Sequence, residues 1–373
     1  MKMKMKMKKI AIIVGLVALV ASAAIAQAVP GSGLVTAGVA DEAKSLTGAG
    51  ATFPAVLYTK WFSEYAKKIG VQVNYQGIGS GGGIKSINDM TVDFGASDAP
   101  MKDDQLAAAK GGKLLHLPMT MGAVVPTYNI PELSRSKKVL RFTADTLSGI
   151  YLGDIIKWND PKLVAENPEL AKIDRYIVVV HRSDGSGTSN IWTSYLTAVS
   201  EKWATTVGYG TSVNWPVGLG GKGNEGVAGN VKQTPYSLGY VEEAYAVQNK
   251  LPVGQVKNAA GKWMEPTAKA VSMAASGVTL PADLRVMMVN SANPEAWPIS
   301  GFTWILVYQQ QTDPAKALAL TRLLWWNLHD GQAYAESLLY VPLPVDAIKK
   351  ASALLKTITV NGAPALPSEL ANY

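Results

Sequence analysis

Short β-branched segments alternate with helical patterns along most of this chain, and this alternation limits the fold more than any other feature. Residues 71–75 and 92–96 alternate as half-buried strands do, whereas residues 176–180 form a continuous apolar run. Between such strands lie helical patterns such as residues 54–68, with apolar side chains every four residues. Residues 302–308 predict a further strand, followed by a helix over 315–329. This order predicts an α/β fold.

The first 28 residues have the composition of a secretory signal peptide. Five lysines lie among the first nine residues, an apolar stretch covers 10–26, and small residues suited to cleavage lie within 24–28. The alternative is a membrane anchor, but this apolar stretch is shorter than the roughly 20 residues of a spanning helix. We therefore expect a cleaved signal peptide and an exported, soluble mature protein.

Most of the excess positive charge belongs to this leader. The whole sequence has 35 basic and 28 acidic residues, and removing the five leader lysines leaves 30 basic residues against 28 acidic ones. The remaining net charge is small and no dense Lys/Arg run accompanies it, so the electrostatic pattern of nucleic-acid binding is missing. We expect no nucleic-acid partner.

Metal ligands and disulfides are also not indicated. The chain has no cysteine, so an exported protein of this length must be stabilised by its hydrophobic core. Its three histidines, His116, His181 and His329, are far apart in sequence and show no metal-binding spacing. We therefore expect no metal and no cofactor. The length suggests two domains.

Four polar or glycine-rich loops lie where a strand or turn leads into a helix. The first contains Thr52, which is expected to cap the following helix, and the second is the glycine-rich segment 77–86 with Ser80. The third contains Asp98, and the fourth is segment 182–189. A helix start offers unpaired backbone N–H groups and a partial positive charge, so these loops suit an anion.

Segment 182–189 has the clearest set of anion-binding groups. The guanidinium of Arg182 presents paired donors that match the oxygens of an oxyanion. Hydroxyls and accessible glycine amides come from Ser186, Thr188, Ser189, Gly185 and Gly187. The loops show no nucleophile paired with a base and no ligands for a metal-bound water. The residues therefore favour binding of a small tetrahedral oxyanion over catalysis.

Two nucleotide-binding patterns in segment 77–86 compete with this interpretation. Its glycines fit a dinucleotide fingerprint, with Asp98 at about the spacing of a ribose-binding acid. Residues 79–86 also approach a phosphate-binding P-loop, but Ile84 replaces the glycine required before Lys85. Both patterns belong to proteins that use cytosolic nucleotides, which an exported chain would rarely meet. We therefore favour the small oxyanion.

Seven segments resemble the periplasmic phosphate-binding proteins of bacterial phosphate ABC importers. They are LTGAGATFPA (46–55), VNYQGIGSGGG (73–83), VDFGASDAPM (92–101), HRSDGSGTS (181–189), WPVGLGGKGNEGV (215–227), LGYVEEAYA (238–246) and AWPIS (296–300). The resemblance implies a type II periplasmic-binding-protein fold, in which two mixed-sheet α/β domains are joined by crossover hinge strands around a ligand cleft. The implied division is a signal peptide at 1–28, a tether at 29–45, domain I at 46–122 and 291–373, and domain II at 123–290.

The resemblance also implies a phosphate-binding set drawn from both domains. Its members are Thr52, Phe53, Ser80, Asp98, Arg182, Ser186, Gly187 and Thr188, supported by Asp184, Gly185 and Ser189. We expect Asp184 to form an ion pair that orients the Arg182 guanidinium. The implied partners are inorganic phosphate and a membrane permease with its cytoplasmic ATPase. The protein is expected to be a periplasmic monomer and not an enzyme.

Asp98 acquires a chemical role in this interpretation. A buried carboxylate repels an anion unless it accepts a hydrogen bond from it, and phosphate near neutral pH keeps a proton whereas sulfate does not. We therefore expect Asp98 to select phosphate over sulfate. Three other functions stay open at this point: a secreted phosphatase, an extracellular adhesin or scaffold with a vestigial pocket, and a binding protein for sulfate or molybdate.

Overall fold

Two mixed β-sheets that share one long strand form the centre of the computed structural model, which describes residues 29–134 and 138–373. The expected signal peptide therefore lies outside the described residues. The strands are β1 (Ser45–Gly50), β2 (Gln72–Gly77), β3 (Phe94–Ser97), β4 (Leu114–Asn129), β5 (Arg141–Phe142), β6 (Val178–Arg182), β7 (Leu219–Gly221), β8 (Ser237–Glu242), β9 (Gln255–Lys257), β10 (Trp263–Met264), β11 (Ser300–Tyr308), β12 (Gln310–Gln311), β13 (Thr359–Val360) and β14 (Ala363–Pro364).

Helices cover the faces of these sheets and follow most of the central strands. They are α1 (Ala55–Ile69), α2 (Ser80–Asn88), α3 (Asp103–Ala107), α4 (Ala144–Leu152), α5 (Pro161–Val164), α6 (Gly187–Val199), α7 (Glu201–Thr206), α8 (Gly223–Gln233), α9 (Glu243–Gln248), α10 (Ala268–Ala275), α11 (Pro314–Leu328), α12 (Val345–Leu355) and α13 (Ser368–Ala371). Short 3-10 helices lie at Pro131–Leu133, Pro168–Lys172, Asp330–Tyr334 and Glu336–Leu338.

The long strand β4 belongs to both sheets. Up to Ala123 it pairs antiparallel with β11, and from Val124 onwards it pairs antiparallel with β8. The complete strand order is β2-β1-β3-β11-β4-β8-β6-β7. We call residues 45–123 and 300–373 lobe 1 and residues 124–299 lobe 2. The chain thus crosses between the lobes along β4 and along the segment that leads into β11.

Each lobe contains a set of parallel strands that end at the same edge of its sheet. In lobe 1 these strands are β2, β1 and β3, and in lobe 2 they are β8, β6 and β7. Helices α1, α2, α6, α8 and α9 begin just after the ends of β1, β2, β6, β7 and β8. Loops at the carboxyl ends of such strands are the usual ligand-binding positions of open α/β sheets.

The strands and helices named from the sequence are present, with shifts of about two residues at their ends. The strands expected near residues 71, 92, 176 and 302 are β2, β3, β6 and β11, and the expected helices are α1 and α11. The expected cap by Thr52 is wrong, because Pro54 precedes α1 and no side chain caps it. The Thr52 hydroxyl accepts hydrogen bonds from Asn224 instead, which draws it towards lobe 2.

Residues 29–44, which were expected to act as a tether, pack along α11. The Ala43 N–H donates to the Ala315 carbonyl at 3.1 Å, and Glu42 forms a buried ion pair with Arg322 at 3.2 Å. This segment is therefore held against lobe 1. Among the helices of the described residues, none is both long and apolar enough to span a membrane.

Candidate functional site

The polar loops of the two lobes meet at one place between the sheets. The Gly187 N–H, at the start of α6, donates to Ser80 Oγ, at the start of α2, at 3.0 Å. The Gly81 N–H donates to the Gly185 carbonyl at 2.8 Å. The first of these bonds joins residues 107 positions apart in sequence. Segment 182–189 of lobe 2 therefore contacts the glycine-rich loop of lobe 1 directly.

Asp98 lies at the centre of this contact. Its side chain is buried, and its N–H donates to Ser80 Oγ at 3.1 Å while Ser80 Oγ lies 3.4 Å from Asp98 Oδ2. Burial raises the pKa of Asp98 to about 7, although the Thr303 hydroxyl, the charge of Arg182 and the Ser80 hydroxyl lower it. Its Oδ1 makes no hydrogen bond of ordinary geometry among the described residues, so it can accept one from a ligand in addition to its interaction with the Thr303 hydroxyl. The carboxyl group is poised between its two protonation states.

Arg182 and Asp184 form a two-bond ion pair inside the site. The distances are 2.8 Å from Arg182 Nε to Asp184 Oδ1 and 2.5 Å from Arg182 Nη2 to Asp184 Oδ2. Burial alone would raise the pKa of Asp184, but the hydrogen bonds and charge of Arg182, with the Gly223 N–H, hold it below its ordinary value. The expected ion pair is present, and its effect on anion affinity stays a prediction. It leaves the Arg182 Nη1 edge for other partners.

The hydroxyls of segment 182–189 have different surroundings. Ser186 caps α6, because its Oγ accepts from the Ser189 N–H at 3.0 Å. Ser189 Oγ lies 2.5 Å from the Tyr240 hydroxyl, so it is held within lobe 2. Thr188 Oγ1 accepts from Arg182 Nη1 at 3.4 Å and from Asn224 Nδ2 at 3.1 Å. Because Asn224 also donates to Thr52 of lobe 1, Thr188 is connected to lobe 1 through Asn224, whereas Ser189 is held by Tyr240 of lobe 2.

Gly187 is required at its position by close packing. A Cβ added there would lie 2.5 Å from Asp98 Oδ2 and 2.5 Å from Ser80 Oγ. Both distances are well below van der Waals contact, so no other side chain fits without displacing these oxygens. The glycine brings the first amide of α6 within hydrogen-bonding distance of lobe 1.

Phe53 can contribute to a ligand site only through its backbone. Its ring is fully buried in lobe 1, and a Cβ added at Gly122 would lie 2.7 Å from the ring. The Phe53 carbonyl accepts a hydrogen bond from the Tyr340 hydroxyl at 2.7 Å. The buried ring and this bond hold the backbone just before α1 in one place.

Several buried polar residues that were not predicted from the sequence also connect the lobes. Asn224 Nδ2 donates to Thr52 Oγ1 at 2.9 Å, and the Tyr245 hydroxyl donates to the Thr52 carbonyl at 2.7 Å. The Tyr340 hydroxyl lies 3.0 Å from Glu242 Oε2. Asn224 stands three residues after the end of β7, at the same kind of strand-to-helix step as the predicted loops, and that position is the signal that could have found it.

The structure brings the four predicted loops together at the junction of the lobes, where Thr52, Ser80 and Gly187 make hydrogen bonds between the lobes, while Ser186 and Ser189 bond within lobe 2. Lobe 1 supplies Thr52, Phe53, Ser80 and Asp98, and lobe 2 supplies Arg182, Asp184, Gly185, Ser186, Gly187, Thr188 and Ser189. Within the described residues, no group of three or more His, Cys, Asp and Glu side chains is arranged to hold a metal ion. The site consists of hydroxyls, backbone amides, one guanidinium and carboxyl groups.

Comparison with known proteins identifies the family. A family model described as the PBP superfamily domain matches residues 35–321. The phosphate-binding protein PstS of Pasteurella multocida is 43% identical over 318 residues, which cover 85% of this chain and 91% of that protein. The chain belongs to the PstS family. PstS of Methanocaldococcus jannaschii is 40% identical to this family member over 325 residues, covering 80% of this chain and 82% of that protein.

Solved structures show the same fold as this PstS family member. The phosphate-bound structure of a high-affinity periplasmic phosphate-binding protein, PfluDING, has a TM-score of 0.66 at 22% identity and covers 83% of this chain and 93% of that chain. A phosphate-binding protein from Stenotrophomonas maltophilia has a TM-score of 0.61 at 19% identity, covering 83% of this chain and 93% of that chain. The predicted periplasmic-binding-protein fold is confirmed.

Proposed function

We propose that this PstS-family protein captures one inorganic phosphate between its lobes, outside the cytoplasm, and delivers it to the permease of a phosphate ABC importer powered by a cytoplasmic ATPase. The observation that carries the proposal is that Asp98, Arg182 and the starts of α2 and α6 meet at one buried place. The chain is also 43% identical to a protein named phosphate-binding protein PstS.

The proposed phosphate ligands are donors from both lobes and one acceptor. They are Thr52, Phe53, Ser80, Asp98, Arg182, Ser186, Gly187 and Thr188, with Asp184, Gly185 and Ser189 supporting them. The Arg182 charge is balanced by Asp184 at 2.5 Å, so the positive potential for the anion comes largely from helix starts and from hydroxyl and amide dipoles. Such a site can bind a compact anion without a net positive charge.

Delivery to a permease requires the lobes to open and close. We propose that residues 46–122 with 291–373 and residues 123–290 are the two domains, and that they move about β4 and the segment leading into β11. The contacts of Thr52 with Asn224 and of Ser80 with Gly187 bridge these domains, so they belong to the closed arrangement. An anion that touches both domains stabilises this arrangement. The signal peptide at 1–28 and a monomeric state belong to the same proposal.

Binding accounts for the serine environments better than hydrolysis does. Ser80 Oγ is bonded to the amides of Asp98 and Gly187, and Ser186 Oγ to the amide of Ser189. An acyl- or phosphoryl-transfer nucleophile needs a base within hydrogen-bonding distance of its hydroxyl. No such base lies beside Ser186 among the described residues, and the carboxyl group beside Ser80, Asp98 at 3.4 Å, is the proposed acceptor for the anion itself. We therefore interpret both serines as hydrogen-bonding groups, and the family member is expected to release phosphate unchanged.

Calorimetric titration of the mature protein with inorganic phosphate tests this function. We expect one phosphate per protein and little change in affinity when a large excess of sulfate is present at about pH 8, because ionised Asp98 has no proton to share with sulfate. A protein without a phosphate signal, or one whose signal is abolished by sulfate, would contradict the proposal.

A further inference from the structure

Asn224 is fully buried at the start of α8, between the two lobes. Its Nδ2 donates to Thr52 Oγ1 at 2.9 Å and to Thr188 Oγ1 at 3.1 Å. Its Oδ1 accepts from the Glu242 N–H at 3.0 Å. Because a backbone N–H can only donate, this last bond determines which end of the amide is the oxygen. Both protons of the Asn224 amide must therefore face the two threonine hydroxyls.

Each of these threonine hydroxyls receives two donors. Thr52 Oγ1 accepts from Asn224 Nδ2 and also from the Asn224 N–H at 3.2 Å. Thr188 Oγ1 accepts from Asn224 Nδ2 and from Arg182 Nη1 at 3.4 Å. A hydroxyl oxygen has two lone pairs, so neither oxygen can accept a further hydrogen bond. The remaining capacity of each hydroxyl is its proton, which it can only donate.

We propose that Asn224 is a positioning residue that commits the hydroxyls of Thr52 and Thr188 to donate to the bound anion, and that it links the two lobes through them. The inference rests on the proposed phosphate-binding function and deepens it. Where both hydroxyls can only donate, the oxygens of the ligand that face them must be unprotonated. The proton of a dibasic phosphate, or one of the two protons of a monobasic phosphate, is then directed away from the threonines and towards Asp98, which is the acceptor of the site.

Ser80 shows the same arrangement on the other side of the site. Its Oγ accepts from the Asp98 N–H at 3.1 Å and from the Gly187 N–H at 3.0 Å, so its hydroxyl can also only donate, and in the structure it donates to Asp98 Oδ2 at 3.4 Å. Across the whole site, therefore, the hydroxyls act as donors and one carboxylate acts as the acceptor. Asn224 provides it for the two threonines.

A double-mutant cycle between Asn224→Asp and Thr52→Val tests the role of Asn224. Aspartate has the shape of asparagine and still accepts from the Glu242 N–H, but its second oxygen attracts the threonine protons that were available to the anion. We expect Asn224→Asp to weaken phosphate binding about 10- to 100-fold more in the Thr52 protein than in the Thr52→Val protein, because valine has no proton to redirect. The added negative charge acts in both backgrounds, so it cancels from this comparison.

Binding of inorganic phosphate is measured by calorimetry for the four proteins of the cycle, and thermal unfolding by circular dichroism checks each fold. If Asn224→Asp does not fold, Asn224→Ser replaces it, since serine has a single proton to share and the same coupling is expected. Equal losses in the two backgrounds would overturn the role of Asn224. Failure of the unmodified protein to bind phosphate would instead contradict the proposed function, so the two failures can be distinguished.

Discussion

At the scale of single residues, we propose that the ionisation of Asp98 decides which anions the site accepts. Burial raises its pKa to about 7, so near neutral pH the carboxyl group is present in both protonation states. Above this pKa the ionised group can only accept a hydrogen bond, and a ligand needs a proton to satisfy it. Below this pKa the carboxyl carries its own proton and can donate it to a fully deprotonated anion. Selection against sulfate should therefore depend on pH.

Sulfate is expected to compete with phosphate much better at about pH 5 than at about pH 8, because protonated Asp98 donates to a sulfate oxygen that ionised Asp98 repels. We expect the affinity of the site for sulfate to be about tenfold or more higher at the lower pH. Calorimetric titration of phosphate at a series of sulfate concentrations measures it at each pH.

Asp98→Asn provides the control for this experiment, because its amide can donate to sulfate at every pH. We expect the variant to accept sulfate at both pH values and to lose the pH dependence of competition. Rejection of sulfate by Asp98→Asn, or equal rejection by the unmodified protein at the two pH values, would show that Asp98 does not act as the selective group.

At the scale of secondary structure elements, the starts of α2 and α6 approach each other because both contain residues without bulky side chains. The Gly187 N–H reaches Ser80 Oγ at 3.0 Å only because no Cβ intervenes. Two helix starts directed at the same volume reinforce its positive potential, which compensates for the absence of a net positive charge. The geometry of this pair of helices should therefore control phosphate affinity.

Gly187→Ala is expected to weaken phosphate binding by about tenfold or more, because the new methyl group would lie 2.5 Å from Asp98 Oδ2 and Ser80 Oγ and must push the helix starts apart. Calorimetry measures the affinity. Gly229→Ala in α8 is the matched control, since nothing lies within 4 Å of a Cβ at that position. The control should keep its affinity and gain about 1 kcal/mol of helix stability. Similar affinities for both variants would refute the packing argument.

The helix starts of the site could be predicted from sequence better than some of the strands behind them. Strand β1 has the sequence SLTGAG, in which Thr47 is the single β-branched residue and small residues make up most of the rest. Small residues are needed there because a Cβ at Gly48 would lie 2.1 Å from the Phe94 ring, and one at Gly50 would lie 2.1 Å from the Ala96 carbonyl. The tertiary contacts that require these glycines therefore remove the local signal for the strand.

Strand β4 was not predicted for a related reason. It is 16 residues long and contains Pro118 and Pro126, which normally argue against a central strand. Pro118 stands beside an irregularity in the pairing with β11, between Thr303 and Trp304. Pairing partners on both sides hold β4 extended over two sheets, and such long-range partners leave no mark on the local sequence. Asn224 escaped notice likewise, because its partners are 36 and 172 residues away in sequence.

At the scale of the whole molecule, a proton links the two lobes behind the anion site. The Tyr340 hydroxyl lies 2.7 Å from the Phe53 carbonyl and 3.0 Å from Glu242 Oε2. The carbonyl can only accept, so it takes the single proton of the tyrosine. The second contact then requires a proton on Glu242. Burial raises the pKa of Glu242 well above its ordinary value and favours this protonated state, as do the charges of Glu243 and Asp98, whereas the Ala244 N–H favours the ionised state. Tyr340 would lower this pKa only if its own proton were donated to Glu242.

This arrangement predicts how the stability of the closed molecule depends on pH. Because the folded-state pKa of Glu242 lies above the unfolded value of 4.5, its stabilising contribution is complete below 4.5 and is lost as pH rises through the folded-state pKa. Glu242→Gln keeps an uncharged group that can donate to Tyr340 and has no proton to lose. We therefore compare the melting temperature of Glu242→Gln with that of the unmodified protein at each pH. The difference, variant minus unmodified protein, is expected to increase steadily as the pH rises above 4.5.

Thermal unfolding in phosphate-free buffers from about pH 4.5 to about pH 9 measures this difference. Asp98 and Glu243 titrate in both proteins, so their own contributions cancel apart from the interaction of their charges with Glu242. The same substitution at exposed Glu369 in α13 is the control and should give no such trend. A difference between Glu242→Gln and the unmodified protein that stays constant across this range would mean that Glu242 is already ionised in the folded state. The Tyr340 hydroxyl would then donate its proton to the ionised Glu242 in a charged hydrogen bond between the lobes. The Phe53 carbonyl would have no hydrogen bond from this hydroxyl.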